Sequence, residues 1–427
     1  MLAHLCGSLR ISASSALRNF FQRREHRDTQ RTAEINPVSS SAIIRAVPKR
    51  QKLMIVAGEP SGDAHAAALV KALSERAELD LFGATGPLMR DAGVETVVNS
   101  DELAIMGIVE VGRAFSRFLK AFRQLKAAAI AQAPDAVVLV DWPEFNLRLA
   151  SALHRRGLKV IYYISPQLWA WRPRRVKQIK RDVDLLLSIL PFEVEWYKKH
   201  GVDHVAFVGH PLSGEVTARY GRAEFCRRNE LDPARPIVSF LPGSRHKELH
   251  RILPPMLAAI EQLRNARPEV QPVIVLAPSR TEAEARAILS HSNSNHVKLV
   301  QQQTREALAA SDAAAIASGT ATLEAALLET PMVIVYKEST INWHTLGRLI
   351  TVSHYGLVNL VAGEELATEL MQRDLTGENL TNKLLQLLDP ETNQAMRERL
   401  HQVAYKLGDP GASSRAADLI LKFLRQA

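Results

Sequence analysis

The sequence predicts an α/β protein with two doubly wound parallel sheets and a helical C-terminus. Short apolar runs alternate with amphipathic helical stretches from Leu53 to Val335, which is typical of buried parallel strands joined by helices. The alternation forms two successive series, so two domains are expected to face each other across a cleft. Ligands of open parallel sheets bind beyond the carboxyl ends of the strands, and the turns at those ends are therefore the candidate sites.

Each series contributes five predicted strands. The first series is Leu53–Ala57, Leu79–Phe82, Ala136–Val140, Val160–Ile164 and Leu185–Leu190. The second series is Ile237–Leu241, Val273–Ala277, Val297–Val300, Ala313–Ala317 and Met332–Val335. The chain changes from one series to the other between Gly209 and Pro236. We therefore assign residues 1–52 to a leader, 53–215 to an N-terminal domain and 216–427 to a C-terminal domain with the terminal helices.

The charge of the chain is concentrated at its start. The formal net charge is +9, from 54 basic and 45 acidic residues, and positions 1–52 hold ten of the basic and three of the acidic ones. The remaining body is close to neutral, so we expect no nucleic-acid partner. The cysteines, Cys6 and Cys226, are too few for a disulfide framework, and no apolar run is long enough for a transmembrane helix.

The leader also differs in composition from the body. Its first 24 residues carry four Arg, four Ser and no acidic residue, as an organellar transit peptide does. A disordered leader or a start codon placed too far upstream is the alternative, since Met54 lies just inside the first predicted strand.

A small-residue turn follows the predicted strand Ala313–Ala317. Ser318, Gly319 and Thr320 lead directly into a helical stretch, and a helix N-terminus with such a turn suits a phosphate or diphosphate. Glu324 lies about one turn inside the helix, within reach of a ribose beside that diphosphate. An ordinary β-α-β crossover with a good N-cap is the alternative interpretation.

A second turn of this kind follows Ile237–Leu241. Pro242 and Gly243 shape the turn, Ser244 is a candidate helix cap, and Arg245 adds a cation whose planar fork matches a diphosphate. Two phosphate-directed turns in one domain favour a nucleotide site.

The turns of the first domain are acidic instead. Glu59, Ser61, Gly62 and Asp63 follow the first strand in a sequence that is neither a GxGxxG nor a P-loop motif, and we expect them on the sugar or acceptor side. A capped turn without a ligand is the alternative. Asp141 follows the strand Ala136–Val140, where a carboxylate can deprotonate a sugar hydroxyl. Glu144 is the alternative base, or a first-turn helix charge.

An aromatic and basic segment follows the strand Val160–Ile164. Trp169 and Arg172 lie within Ser165–Arg172 and suit an amphiphilic or anionic ligand. Asp182 and Asp184 imitate a DxD metal motif but open a strand instead of following one, so we interpret them as structural. No other carboxylate or histidine cluster has metal-ligand spacing, and neither a metal nor a cofactor is predicted.

Taken in order, these motifs resemble those of the lipid-A-disaccharide synthase family, which are GT-B glycosyltransferases with two Rossmann-like domains. The matching stretches are AGEPSGD (57–63), ELAIMGIVEV (102–111), VDWPEFN (140–146), SPQLWAWRPRRV (165–176), ILPFE (189–193), FVGHPL (207–212), LPGSR (241–245) and SGTATLE (318–324). Each motif is weak by itself, but eight in order are highly specific. The leader lies outside the resemblance.

The resemblance implies metal-free, inverting transfer of 2,3-diacylglucosamine from its UDP derivative to 2,3-diacylglucosamine 1-phosphate. It implies Asp141 as the general base on the acceptor 6-hydroxyl. Arg245 and the turn Ser318–Thr320 would bind the diphosphate and stabilise the leaving UDP, and Glu324 would bind the ribose.

Two motifs depart from the family pattern. The usual Ser-Leu-Pro-Asn appears as Gly356-Leu357-Val358-Asn359, and Pro-Glu-x-x-Gln begins with Thr368. Asn359 is kept as a UDP-binding candidate, while the roles of Glu369 and Gln372 are less secure. Another UDP-sugar GT-B enzyme, whether transferase or epimerase, and a catalytically silent membrane-associated nucleotide-sugar-binding protein are the alternative functions.

Residues 111–126 form a predicted helix with an apolar and a basic face. Val111, Phe115, Phe118, Phe122 and Leu125 share one face, and the stretch contains no acidic residue. The face either packs on the sheet or, extended by Ile105–Ile108, docks on an anionic membrane. We expect a cytoplasmic protein peripheral to the inner membrane, or a mitochondrial one if the leader is a transit peptide. The sequence is compatible with a homodimer and does not decide the oligomeric state.

Overall fold

The computed structural model describes residues 50–101, 111–292, 297–339, 343 and 352–426, without the side chains of 111–115. The leader up to residue 49, the motif residues 102–110 and the side chains of Val111 and Phe115 therefore lie outside the described residues. The first strand begins at Gln51, two residues before the predicted start, so the predicted leader ends inside it.

The first sheet has seven strands in the order β3-β2-β1-β4-β5-β6-β7. The strands are β1 Gln51–Val56, β2 Leu79–Thr85, β3 Glu95–Asn99, β4 Ala136–Val140, β5 Val160–Tyr163, β6 Leu185–Ser188 and β7 Val205–Phe207. β1 pairs in parallel with β2 and β4, and the register places Val56 beside Ala84 and Leu139. The carboxyl ends of these three strands therefore lie side by side.

Helices connect these strands. They are α1 Pro60–Ser74, α2 Pro87–Asp91, α3 Val111–Gln132, α4 Pro143–His154, α5 Val176–Asp182 and α6 Pro191–Lys199. Four of them begin with proline at the first helical position, where the missing N–H is not needed and the fixed φ suits the helix.

The second sheet has six strands in the order β10-β9-β8-β11-β12-β13. They are β8 Ile237–Leu241, β9 Gln271–Leu276, β10 Lys298–Gln301, β11 Ala313–Ala317, β12 Met332–Tyr336 and β13 Glu369–Met371, with every neighbouring pair parallel. β8, β11 and β12 are buried at every position, as strands covered on both faces must be.

Helices surround this sheet and form the C-terminus. They are α7 Arg222–Asn229, α8 His246–Ala266, α9 Glu282–Leu289, α10 Thr304–Ala310, α11 Ala321–Leu327, α12 Leu357–Ala362, α13 Gly377–Leu387, α14 Pro390–Lys406 and α15 Ala412–Gln426. The predicted α/β class with two Rossmann-like parallel sheets and a helical C-terminus is confirmed. Among the residues that the structure describes, no helix is both long and apolar enough to cross a membrane.

The chain divides between Ile161 and Tyr162 into two compact units. Of the described residues, those from 50 to Ile161 form the first unit together with the last helical turns from Leu421, and those within Tyr162–Ile420 form the second unit. The predicted N-terminal domain, 53–215, extends past this division. The sheets themselves change between Phe207 and Ile237.

Candidate functional site

Asp141 lies on an unusual turn at the carboxyl end of β4. Asp141 and Trp142 have φ values of 48° and 50°, and two successive left-handed residues other than glycine need support from their surroundings. Asn146 gives that support, because its buried side-chain amide donates to the carbonyl oxygens of Val140 (3.2 Å) and Asp141 (2.8 Å). The carboxylate of Asp141 is thereby held just beyond the strand.

The surroundings of Asp141 favour its protonated form. Burial raises the pKa of Asp141 to about 6, the negative charge of Glu59 adds to the rise, and the N–H of Trp142 acts against it. A carboxylate with this pKa is ionised at neutral pH and is more basic than an ordinary aspartate. Glu144, the alternative base, lies half-buried in the first turn of α4.

The turn after β1 contributes differently from what the sequence predicts. Asp63 is buried, and its carboxylate accepts the N–H groups of Gly86 (3.0 Å), Leu88 (2.9 Å) and Met89 (3.1 Å). Both oxygens thus cap the first turn of α2, so Asp63 has a structural role where the sequence predicted contact with a sugar.

The other three predicted residues of this turn differ in exposure. Ser61 is exposed, Gly62 is buried in α1, and half-buried Glu59 precedes that helix. Glu59 also lines a pocket of about 340 Å³ beyond the carboxyl ends of β1 and β2. Of these residues, Glu59 and Ser61 remain accessible to a ligand.

Aromatic rings pack around Trp142, the residue that follows Asp141. Trp142 stacks on Phe145 with ring centroids 4.1 Å apart, and Phe118 lies 5.7 Å from Trp142. Phe122 meets Phe145 edge to face at 6.0 Å, and Leu125 is fully buried. The apolar face of α3 therefore packs on the protein at these positions, as the packing alternative predicts.

In the second unit, Trp169 belongs to a buried polar cluster. Its indole N–H donates to Glu193 at 2.8 Å, and Ser188 (2.6 Å) and Ser165 donate to the same carboxylate. Burial raises the pKa of Glu193, while these hydrogen bonds act against the rise. Trp169 thus fixes its segment to the protein interior, and the prediction that it lies on the acceptor side is wrong. Arg172 is half-buried, with its guanidinium carbon 4.2 Å from the ring centre of Trp171.

Asp182 of the DxD-like stretch has the predicted structural role. Asp182 ends α5, is 1% exposed and pairs with Arg181 at 2.6 Å, so its carboxylate is committed to the protein. Within the described ranges, no group of three His, Cys, Asp or Glu side chains could hold a metal ion.

The turn after β8 is organised by Glu248. One oxygen of its carboxylate accepts the N–H groups of Ser244 (3.1 Å) and Arg245 (3.2 Å), and the other pairs with the Arg245 guanidinium at 3.0 Å. Arg245 is the N-cap of α8, so the expectation that Ser244 caps the helix is wrong. Glu248 supplies only the half of a capping box that returns to the N-cap N–H, because an arginine side chain has no oxygen to accept a main-chain N–H in return.

The turn after β11 is open on its outer side. Gly319 is half-buried, a Cβ atom built on it would meet no atom within 4 Å, and Thr320 is exposed. Ser318 donates its hydroxyl to the carbonyl oxygen of Tyr355 at 3.0 Å. Glu324 in α11 pairs with Arg305 at 3.3 Å and is 20% exposed, which leaves it partly accessible.

The residues of the two motifs that depart from the family pattern, Asn359, Glu369 and Gln372, all bond to other parts of the protein. Asn359 is fully buried, and its side-chain amide bonds to the main chain of Ala367 and to Glu369, so it cannot contact UDP as predicted. Glu369 accepts main-chain N–H groups of the neighbouring loop. With the oxygen and nitrogen of its amide exchanged, the orientation that satisfies both atoms, Gln372 pairs with both main-chain groups of Glu338 at 3.0 Å.

Comparisons with known proteins identify the family of the chain. A family model described as lipid-A-disaccharide synthetase matches residues 53–423. The lipid-A-disaccharide synthase of Geobacter sulfurreducens is 42% identical over 375 residues, which cover 87% of this chain and 97% of that protein. The one from Nitrosococcus oceani is 41% identical over 372 residues, covering 87% and 95%.

Solved structures share the fold at low identity. A putative UDP-N-acetylglucosamine 2-epimerase from Listeria monocytogenes aligns with a TM-score of 0.60 at 16% identity, over 88% of this chain and 98% of that one. The calicheamicin glycosyltransferase CalG4 aligns with a TM-score of 0.56 at 17% identity, over 89% and 99%.

Two parallel Rossmann-like sheets with polar turns at their strand ends place the chain in the GT-B class, which these glycosyltransferase and epimerase structures share. The family model matches most of the chain, and curated relatives are about 42% identical to it. These two findings identify one family within the GT-B class. The chain belongs to the lipid-A-disaccharide synthase family.

Proposed function

We propose that the protein transfers 2,3-diacylglucosamine from its UDP derivative to 2,3-diacylglucosamine 1-phosphate. The product is the β-1,6-linked lipid A disaccharide 1-phosphate, and UDP is released. Family membership supports the reaction. In the chain itself, the carrying observation is Asp141, a carboxylate held on a left-handed turn beyond β4 with a pKa of about 6.

Asp141 is the general base of this reaction. It accepts the proton of the acceptor 6-hydroxyl while the hydroxyl oxygen attacks the anomeric carbon of the donor. The bond from that carbon to the diphosphate oxygen breaks with inversion, and its electron pair leaves with UDP. The raised pKa of Asp141 strengthens it as a base without protonating it at neutral pH.

The nucleotide half of the reaction rests on residues of the second unit. Arg245 and the open turn at Ser318–Thr320 stabilise the charge that develops on the diphosphate. The main-chain N–H of Ser244 becomes a further donor to the diphosphate when its hydrogen bond to Glu248 breaks. Glu324 accepts the hydroxyls of the ribose. On the acceptor side we place Glu59, Ser61 and Arg172, whose side chains are exposed or half-buried.

The outer face of α3 is our candidate for membrane contact. Arg117, Lys120 and Arg123 are exposed there, and the helix contains no acidic residue. Because Phe118 and Phe122 pack inward, the attraction would be electrostatic, at about 1 kcal/mol for each cation near an anionic leaflet. We infer a peripheral location on an anionic membrane.

Incubation of radiolabelled UDP-diacylglucosamine with the lipid acceptor tests the reaction. We expect labelled disaccharide from the wild type, and from Asp141→Asn a turnover lower by about 10²-fold or more with UDP binding retained. The exposed Asp80→Asn is the matched control. If the donor is epimerised in the absence of acceptor, the protein is an epimerase. If it binds the donor and forms no product, it is a catalytically silent binding protein. Near-wild-type turnover of Asp141→Asn would move the base to Glu144.

Sedimentation with anionic liposomes tests the membrane contact. Changing Arg117, Lys120 and Arg123 to Glu should abolish co-sedimentation while UDP still binds. The same change at Arg155, Arg156 and Lys159, which are also exposed, is the control. If the α3 variant sediments as the wild type does, the contact surface lies elsewhere, with Trp171–Arg175 as the next candidate.

A further inference from the structure

The carboxylate of Glu369 organises the loop before α12. It accepts the main-chain N–H groups of Tyr355 (2.8 Å) and Gly356 (2.8 Å), and the side-chain amide of Asn359 (2.8 Å). Asn359 in turn bonds to both main-chain groups of Ala367, so α12 and the start of β13 are joined through the same cluster. A half-buried carboxylate bonded in this way fixes the direction of each group that donates to it.

The same loop holds the small-residue turn after β11. Tyr355, whose N–H points to Glu369, offers its carbonyl oxygen to the hydroxyl of Ser318 at 3.0 Å. The main-chain N–H of Ser318 is already bonded to Val335 at 2.9 Å. The position of its side chain is therefore set by Tyr355, and the position of Tyr355 is set by Glu369.

The loop has little room to move away from this arrangement. A Cβ atom on Gly356 would come 2.3 Å from Cδ1 of Ile334 and 3.2 Å from a carboxylate oxygen of Glu369. The loop is thus packed between β12 and Glu369. Because no cavity lies between them, a displacement of the Glu369 carboxylate also displaces Tyr355.

We propose that Glu369 is a positioning residue, which acts through Tyr355 to set the orientation of Ser318 and does not itself contact the nucleotide. The link to nucleotide binding rests on the proposed function, in which the turn at Ser318 receives the diphosphate. With its N–H bonded to Val335 and its hydroxyl bonded to Tyr355, Ser318 anchors the turn, and a displaced turn presents the N–H groups of Gly319 and Thr320 less well to the diphosphate. We therefore expect the dissociation constant for UDP to rise about tenfold in Glu369→Gln.

A double-mutant cycle between Glu369 and Ser318 tests the proposal by calorimetry with UDP. Glu369→Gln and Ser318→Ala should each weaken UDP binding, and the double variant should be no weaker than the weaker single variant. Glu369→Asp, which keeps the charge, should recover part of the affinity. Glu378→Gln, at an exposed glutamate that starts α13, is the matched control. Unchanged affinity in Glu369→Gln, or two effects that multiply in the double variant, would overturn the proposal.

Amide hydrogen exchange without ligand gives a second readout that does not depend on the proposed function. Glu369→Gln should speed exchange at Tyr355 and Gly356 and also around Ser318, while the strands of the first sheet keep wild-type rates. Unchanged exchange around Ser318 would contradict the proposal even if UDP binding falls. A wild type that binds no UDP would refute the proposed function, and exchange alone would then decide whether Glu369 positions Ser318.

Discussion

The ring of Trp142 lies directly against Gly58: a Cβ atom built on this glycine would come 2.1 Å from two ring carbons. The contact joins the turn after β1 to the turn after β4, two strands that are neighbours in the sheet. Glu59 follows Gly58 and Asp141 precedes Trp142, so the contact brings these two carboxylates to the same edge. The electrostatic effect of Glu59 on Asp141 follows from this packing.

Replacing Gly58 with alanine should destabilise the protein. The added methyl group overlaps the Trp142 ring, and overpacking of this kind typically costs about 1–3 kcal/mol. Calorimetry should show a clear fall in Tm. Gly221→Ala is the comparison variant, because a Cβ atom there meets nothing within 4 Å and only the poorer N-cap, about 0.5–1 kcal/mol, should lower its Tm. An unchanged Tm in Gly58→Ala would show that the ring moves aside without cost.

Activity should fall as the pH drops below the pKa of Asp141. A base with a pKa of about 6 loses its charge below that pH, so kcat/KM should fall about tenfold for each further pH unit. Glu59→Gln removes a nearby negative charge, lowers the pKa of Asp141 and should move this limb to lower pH. The exposed Glu75→Gln should leave it in place. A limb that stays fixed in Glu59→Gln would show that burial alone sets the pKa of Asp141.

The same carboxylate should reduce stability at neutral pH. Its folded pKa, about 6, lies above the ordinary value of 3.8, so the folded state binds the proton more tightly than the unfolded state does. The stability that protonation contributes is lost as the pH rises from about 4 to 6. Asp141→Asn carries no charge and asparagine tolerates a left-handed φ, so its Tm should exceed that of the wild type at pH 8 but not at pH 4. A Tm difference that is independent of pH would contradict this explanation.

Arg245→Ala and Glu324→Ala should each weaken UDP binding, because both residues are assigned to the nucleotide half. Loss of a hydrogen bond to a charged group typically costs about 1.5–3 kcal/mol. Calorimetry measures the change, and Arg227→Ala in an exposed pair on α7 is the control. Wild-type affinity in both variants would remove these two residues from the UDP site.

Transfer should continue in the presence of EDTA. The sequence predicts no metal site, and the part of the chain that the structure describes brings no three ligand side chains together. The assay is disaccharide formation with and without chelator. Loss of activity that Mg²⁺ or Mn²⁺ restores would show that a metal takes part.

The strands that the sequence analysis missed share one physical property. Runs such as Ala136–Val140 and Ala313–Ala317 are buried on both faces, so their continuous apolar pattern predicts a strand directly. β3, β7 and β13 were not predicted, and each lies at the edge of its sheet. An edge strand is short and only partly covered, as Glu369–Met371 is, and its pairing depends on a neighbour that is distant in the chain.

The site shows the same division. The turns that carry Asp141, Arg245 and Ser318 are local features, and the sequence predicted where they lie. The internal partners of the site residues are not local: Asp63 bonds to residues 23 to 26 positions away, and Trp169 to a glutamate 24 positions away. Sequence patterns do not show which buried group completes such a hydrogen bond. For this reason the sequence analysis predicted ligand contacts for Asp63, Trp169 and Asn359.

The contact between Gly356 and Ile334 also bears on how the two positions can change together in evolution. The resemblance implies a serine at position 356 in the family motif. The Cβ atom of a serine there would overlap Cδ1 of Ile334, whereas the next atom of that side chain, Cγ1, lies 3.5 Å from the added Cβ. Valine lacks the δ carbon, so Ile334→Val would open the space that Gly356→Ser needs. Relatives with serine here are therefore expected to carry a residue smaller than isoleucine at the facing position of β12, and in this chain the paired change should be tolerated better than the serine alone.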